Sequence, residues 1–154
     1  MSNSSNGIAV LLGKGDGTFA PPIDGGTEAQ GFPLTVGDFN NDGIPDLVNW
    51  FLVLLGNGNG TFRQVLAPFF AGPAVVQDFN GDGKQDVAFT NADDDGVLIF
   101  PGNGDGTFGP PVLFIADGSP VYLAAGDFNG DGKPDLAVEN QMSKNVSVLI
   151  NTTP

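Results

Sequence analysis

The stretch Asp127-Phe-Asn-Gly-Asp-Gly-Lys-Pro-Asp135 decides how this chain reads. It follows an apolar run, Val121–Ala125, and leads into Leu136-Ala-Val138, so it is a loop between two strands. Two further copies stand upstream, Asp38-Phe-Asn-Asn-Asp-Gly-Ile-Pro-Asp46 and Asp78-Phe-Asn-Gly-Asp-Gly-Lys-Gln-Asp86. Each places Asp, Asn, Asp and Asp at positions 1, 3, 5 and 9, with Gly at position 6. Alternate oxygen-bearing side chains on a curled backbone converge on one point. The Gly permits the sharp turn, and the carbonyl at position 7 adds an oxygen. A hard cation such as Ca²⁺ is caged in this way.

Three Ca²⁺ per chain are therefore expected, one per loop. The candidate ligands are Asp38, Asn40, Asp42, Ile44 and Asp46 in the first loop. In the second they are Asp78, Asn80, Asp82, Lys84 and Asp86. In the third they are Asp127, Asn129, Asp131, Lys133 and Asp135. Ile44, Lys84 and Lys133 serve through their backbone carbonyls, and the two lysine side chains are expected outside the cage. An EF-hand needs a bidentate acid at position 12, where Asn49, Phe89 and Val138 stand instead. A plain Asx-rich turn would leave three aspartates within nine residues to repel one another. The expected role is structural, because each loop stitches one strand to the next.

The rest of the composition agrees with a folded β-rich chain. It has 154 residues, 40% of them hydrophobic, with mean hydropathy +0.04, enough for one domain with a sizeable core. Gly 24 and Pro 12, against 15% charged residues, point to short strands and many turns. The formal charge is −13, and half of the 18 acids lie in the three loops. No basic patch exists to meet phosphates, so nucleic acid is not an expected partner. No apolar run approaches the ~20 residues of a membrane helix, so no membrane insertion is expected. The polar start, Met1 to Asn6, has no basic n-region, and the chain reads as a mature or excised piece. Weak Ca²⁺ cages fill where Ca²⁺ is millimolar, which places the protein outside the cell or on its surface.

A second motif repeats alongside the loops. Gly13-Lys-Gly-Asp-Gly-Thr-Phe19 recurs as Gly56-Asn-Gly-Asn-Gly-Thr-Phe62 and Gly102-Asn-Gly-Asp-Gly-Thr-Phe108, spaced by 43 and 46 residues. The acidic loops are spaced by 40 and 49. That period, with short strands, suggests four-stranded propeller blades. In each unit the acidic loop joins strands 1 and 2, a polar turn follows, and the Gly-rich turn joins strands 3 and 4. Strand 4 of the middle unit is expected to begin at Thr107-Phe108. Paired Gly with Asn or Asp is hairpin chemistry. A phosphate-cradling loop is excluded, since a strand follows and no Lys-Ser/Thr pair does. The chain divides into a half blade at 7–24, blades at 32–67 and 73–113, and an incomplete blade at 120–151, all within one unit, 1–154. Phe39, Phe79 and Phe128 of the loops, and Phe19, Phe62 and Phe108 of the turns, are expected in the core.

The sequences GDFNGDGKPDLAV at Gly126–Val138 and LLGKGDGTF at Leu11–Phe19 resemble the FG-GAP/VCBS-type repeat of integrin α-subunit-like β-propellers. The resemblance covers almost the whole chain. It implies four-stranded blades around an axis, with Ca²⁺ in the loop between strands 1 and 2. The Phe-Gly and Gly-Ala-Pro pairs that name the family are reduced to a remnant at Gly72-Pro73, which makes the bacterial-type variant the closer match.

Strand counting gives about three blades and one strand over, whereas propellers close with four to eight blades. An all-β chain of this kind would keep two open flanks. The expectation is a homodimer closed to six blades, with the N-terminal segment Ile8–Phe19 of each chain on the last blade of the other. The strand-3 copies at Ile8–Leu12 and Val146–Ile150 are then redundant, so one swaps or frays.

Two function classes follow, a non-enzymatic Ca²⁺-stabilised module for extracellular binding, adhesion or scaffolding, and a carbohydrate-binding propeller with sugars between blades. The protein or glycan ligand is not specified by either. The glycan reading wants repeated exposed aromatics, yet Trp50 and Tyr122 are single. Trp50 sits at a shortened hairpin, where it can cap the blade edge, make an assembly contact or stack on a sugar. Phe69 and Phe70 lean towards the core. The acids Asp93, Asp94 and Asp95 read as a solvated turn rather than a fourth cation site. Catalysis is not expected: the chain has no His and no Cys, and its few Ser lie mainly in polar turns.

Overall fold

The computed structural model describes residues 7–28, 33–49, 52–66 and 73–153. Trp50, Phe69 and Phe70 lie outside these residues. Among the described residues there is no helix, and thirteen strands form four antiparallel sheets. Among these residues no helix is long and apolar enough to cross a membrane. A hairpin pairs β1 (Gly7–Val10) with β2 (Ile23–Glu28). Sheet I holds β3 (Thr35–Gly37), β4 (Asp46–Val48), β5 (Leu52–Gly56) and β6 (Phe62–Leu66) in chain order. Sheet II holds β7 (Ala74–Gln77), β8 (Asp86–Asn91), β9 (Gly96–Phe100) and β10 (Val112–Ile115). Sheet III holds β11 (Pro120–Gly126), β12 (Asp135–Asn140) and β13 (Asn145–Leu149).

Alternation along the strands sends every second side chain into a seam between sheets. Between sheets I and II the seam holds Phe39, Val48, Val53, Leu55, Val87, Phe89 and Phe100. Between sheets II and III it holds Phe79, Ala88, Val97, Leu136 and Val138. The face-to-face order is therefore hairpin, I, II, III, with β2 against β6, β3 against β7, and β11 against β7 and β8. Phe89 and Val138 stand where an EF-hand acid would, and both are buried core.

Two sequence expectations are corrected here. The outer strand of sheet II does not begin at Thr107-Phe108: Phe108 makes an isolated bridge to Gly102, and β10 starts at Val112. Pro110 and Pro111 carry no N–H for the ladder, so regular pairing waits until they are passed. The hairpin repeats this at Pro21 and Pro22, while sheet I, with Gln64 and Val65 in those places, runs unbroken from Phe62. The expected aromatic core also holds only in part. Phe39 and Phe79 are buried, but Phe19 is 59% exposed and Phe128 52% exposed. Each lies on an outer face of the stack, with no neighbouring sheet among the described residues.

Candidate metal centres

The three acidic loops have one local structure. The first, between β3 and β4, folds Asp38 and Asn40 over its own backbone: Asp42 N–H donates to Asp38 Oδ1 and to Asn40 Oδ1, each at 3.1 Å. Gly43 N–H donates to Asp38 Oδ2 at 2.9 Å, and Ile44 N–H to Asp42 Oδ1 at 2.8 Å. The second loop repeats this with Asp78, Asn80 and Asp82, and the third with Asp127, Asn129 and Asp131. Position 6 makes the curl possible, since Gly43, Gly83 and Gly132 have φ of 79°, 81° and 86°, a region where a Cβ is strained.

The aspartate at position 9 does something the spacing did not disclose. Asp46, Asp86 and Asp135 are buried, and each carboxylate clamps two distant amides. One oxygen accepts from the N–H of the loop phenylalanine: Phe39, Phe79 and Phe128 donate at 2.9 Å in all three. The other accepts from the exit of the third strand: Gly56 at 2.7 Å, Gly102 at 2.8 Å and Asn151 at 2.8 Å. The sequence signal for this clamp was the Gly or Asn that closes every third strand.

These environments split the carboxyls. Burial pushes Asp46 and Asp86 up, against the amides that hold them down, and neighbouring loop aspartates add to the rise. The amide of Lys84 holds Asp82 below its ordinary value, and the amide of Gly132 does the same for Asp127.

Of the expected ligands, positions 1, 3 and 5 are brought together in each loop, while both oxygens of position 9 are committed to backbone amides. Among the described residues no group of three or more His, Cys, Asp or Glu side chains is gathered as it would be around a metal ion. The donor set nevertheless fits a hard cation. It is all oxygen, and a carboxylate oxygen that accepts one N–H keeps a second acceptor site. The two lysine side chains differ from each other. Lys84 Nζ lies 3.2 Å from Asp82 Oδ2, folded back onto the loop rather than clear of it. Lys133 Nζ donates to the carbonyl of Thr153, away from the loop carboxylates.

The other motifs take structural roles. The Gly-rich turns close on themselves, with Lys14, Asn57 and Asn103 N–H donating to Thr18, Thr61 and Thr107 carbonyls. The turn at Asp93–Asp95 is exposed; Asp94 Oδ2 accepts from Asn91 Nδ2, and Asp95 Oδ1 accepts from the N–H of Ser119. The cluster around Asp117 ties the entry of β11 to the β12–β13 turn through Ser143 and Asn145.

A family model described as FG-GAP-like repeat matches residues 1–48 and 78–138, more than half of the chain. Those stretches contain all three acidic loops. The segment between them contains the shortened hairpin of sheet I. A search among curated proteins found no match.

Proposed function

Because the chain belongs to the FG-GAP-like repeat family, we propose that it is a calcium-binding β-propeller module that acts outside the cell as a binding, adhesion or scaffold element and not as a catalyst. The observation that carries this reading is the threefold repetition of one loop geometry, with Asp and Asn oxygens folded over the same concave backbone each time. Positions 1, 3 and 5, one oxygen of position 9 and the carbonyl of position 7 would hold the ion. The cation would supply charge compensation for aspartates that otherwise repel. Position 9 would then couple the filled loop to the end of the third strand through its clamp. The absence of His and Cys from the sequence supports a non-catalytic role.

Calorimetry of the metal-stripped chain with Ca²⁺, and with Mg²⁺ as control, tests the reading. Three oxygen-ligand sites that prefer Ca²⁺ are expected. A chain that takes up no Ca²⁺ at millimolar concentration would overturn it.

A further inference from the structure

The seam between sheets I and II shows what a Gly-rich turn does. Phe108, which leads from that turn towards β10, meets Phe39 edge-on, with ring centroids 5.6 Å apart and planes at 62°. Gly106 N–H donates to the carbonyl of Phe39 at 2.9 Å. The turn lies so close to sheet I that a methyl group on Gly106 would come within 2.9 Å of Leu55.

At the seam between sheets II and III, Phe79 holds the place of Phe39. The register of β12 with β13 puts Leu149 and Ile150 in the places of Leu54 and Leu55. Where the turn would lie there is a cavity of about 220 Å³, lined by Phe79, Leu136, Leu149, Ile150, Val112 and Phe114 among others. The Phe79 carbonyl is met by Asn151 Nδ2 at 2.8 Å and, at 3.4 Å, by Thr153 Oγ1 instead of by a turn amide. β13 is an edge strand with no outer partner among the described strands. An apolar cavity of roughly 150 Å³ admits a benzene ring, so this one has room for a phenyl side chain.

The matching plug is at the other end of the stack. The turn Gly13–Phe19 has the fold of Gly102–Phe108, down to the Thr18 amide and hydroxyl on Asp16 Oδ1, as Thr107 on Asp105. Of the three turns it alone has no sheet beneath it among the described residues: a methyl group on Gly60 would meet Ile23 at 3.0 Å, whereas one on Gly17 would meet nothing within 4 Å. Phe19 is accordingly exposed. The inner strands show the same pairing of leftovers. Val36 of β3 is exposed while its counterpart Val76 packs in the seam, and Phe128 is exposed while its counterparts Phe39 and Phe79 are buried.

We propose that a second copy of this chain fills the cavity with its Gly13–Phe19 turn. Phe19 of that copy packs against Phe79, and its β2 runs along the free edge of β13. Sheet III then lies in front of sheet I of the second copy. Phe128 and Val36 are covered there in the way Phe39 and Val76 are covered within one chain. A two-fold axis makes both contacts twice and closes the ring, so no apolar end is left over. Since β1 and β13 hold the same place in their repeats, β1 gives up its pairing with β2 when β2 takes the edge of β13. This contact rests on packing and repeat register and does not require the cation.

Light scattering on the intact chain in millimolar Ca²⁺ is expected to give twice the 15.8 kDa chain mass. Phe19→Asp is expected to give a monomer with an unchanged β-sheet spectrum, because Phe19 touches little within its own chain. Met142→Asp, at a still more exposed apolar site that does not line the cavity, should remain a dimer. The chain has no Cys, so mixing Phe19→Cys with Ile150→Cys copies and oxidising them should yield cross-linked dimer. A monomer of the intact chain at micromolar concentration overturns the proposal. So does a dimer that survives Phe19→Asp.

Discussion

The backbone N–H of Asp38 donates to the side-chain carbonyl of Gln85 at 2.6 Å, so the second acidic loop caps the first residue of the one before it. Position 8 holds Pro45 and Pro134 in the other loops, neither of which offers such an acceptor. Gln85 crowds the same spot as Gly37, where an added methyl group would lie 2.6 Å from its Oε1.

Gln85→Ala should therefore cost about 1 kcal/mol, the usual net worth of one intramolecular hydrogen bond. A shift in the urea midpoint checks it, and Ca²⁺ uptake by the first loop should weaken in parallel. An unchanged midpoint would show that the bond contributes nothing.

The position 9 clamp predicts an effect that a mere metal ligand would not have. Asp86→Ala strips an acceptor from the Phe79 and Gly102 amides. The expected loss is about 1–3 kcal/mol for each amide left unpaired. It should appear in excess EDTA, with no metal present. If the variant matched the parent there, position 9 would be a ligand only.

Chelation should lower the melting temperature of the parent chain, because an ion that binds the folded form alone stabilises it by mass action. One site at a hundredfold excess over its Kd contributes about 2.7 kcal/mol. Asp82→Ala should remove one of three calorimetric sites, since the remaining Asp78 and Asp86 repel. Three tight sites in that variant would refute the ligand assignment.

Lys84 competes for the carboxylate that the cation would take. The pair is solvent-exposed and screened, so it holds the carboxylate only weakly. Lys84→Ala should tighten Ca²⁺ at the second loop by up to about fivefold and leave the other two loops as they were. Weaker binding at the second loop would contradict the competition.

Asp117 supplies a pH signature away from the loops. Donors on Asn145, Ser143 and Gly118 hold its carboxyl below the ordinary 3.8. A carboxyl lowered in the folded state stabilises it above the ordinary value, and that stabilisation fades as the pH falls through the lowered one. The parent should therefore exceed Asp117→Asn in stability near neutrality and converge with it in strong acid. A gap that stays constant with pH would show that the charge is not involved.

Much of this was legible in the chain itself. The Asp-x-Asn-x-Asp-Gly runs and the Gly-rich turns punctuate the chain so regularly that the antiparallel order of the strands within a unit is legible from them. What could not be read has physical causes. An aspartate looks the same whether it faces a cation or a backbone amide, so the clamp of Asp46, Asp86 and Asp135 was hidden behind their reading as ligands. Pro21-Pro22 and Pro110-Pro111 were visible, but their effect on where the outer strand starts depends on the ladder they interrupt. Phe19 and Phe128 carry the same pattern as their buried counterparts. Burial is a property of the neighbouring sheet and not of the residue.

The clamp also divides each unit unequally. A carboxylate at the head of the second strand that grips the tail of the third rivets the inner part of the sheet together, and leaves the fourth strand outside the rivet. β10, exposed along its whole length, is held by its ladder to β9 and little else. Under mechanical load or mild denaturant that outer strand is the one to peel, while the riveted three stay folded. Peeling β10 leaves the edge of β9 unpaired, an edge open to another strand.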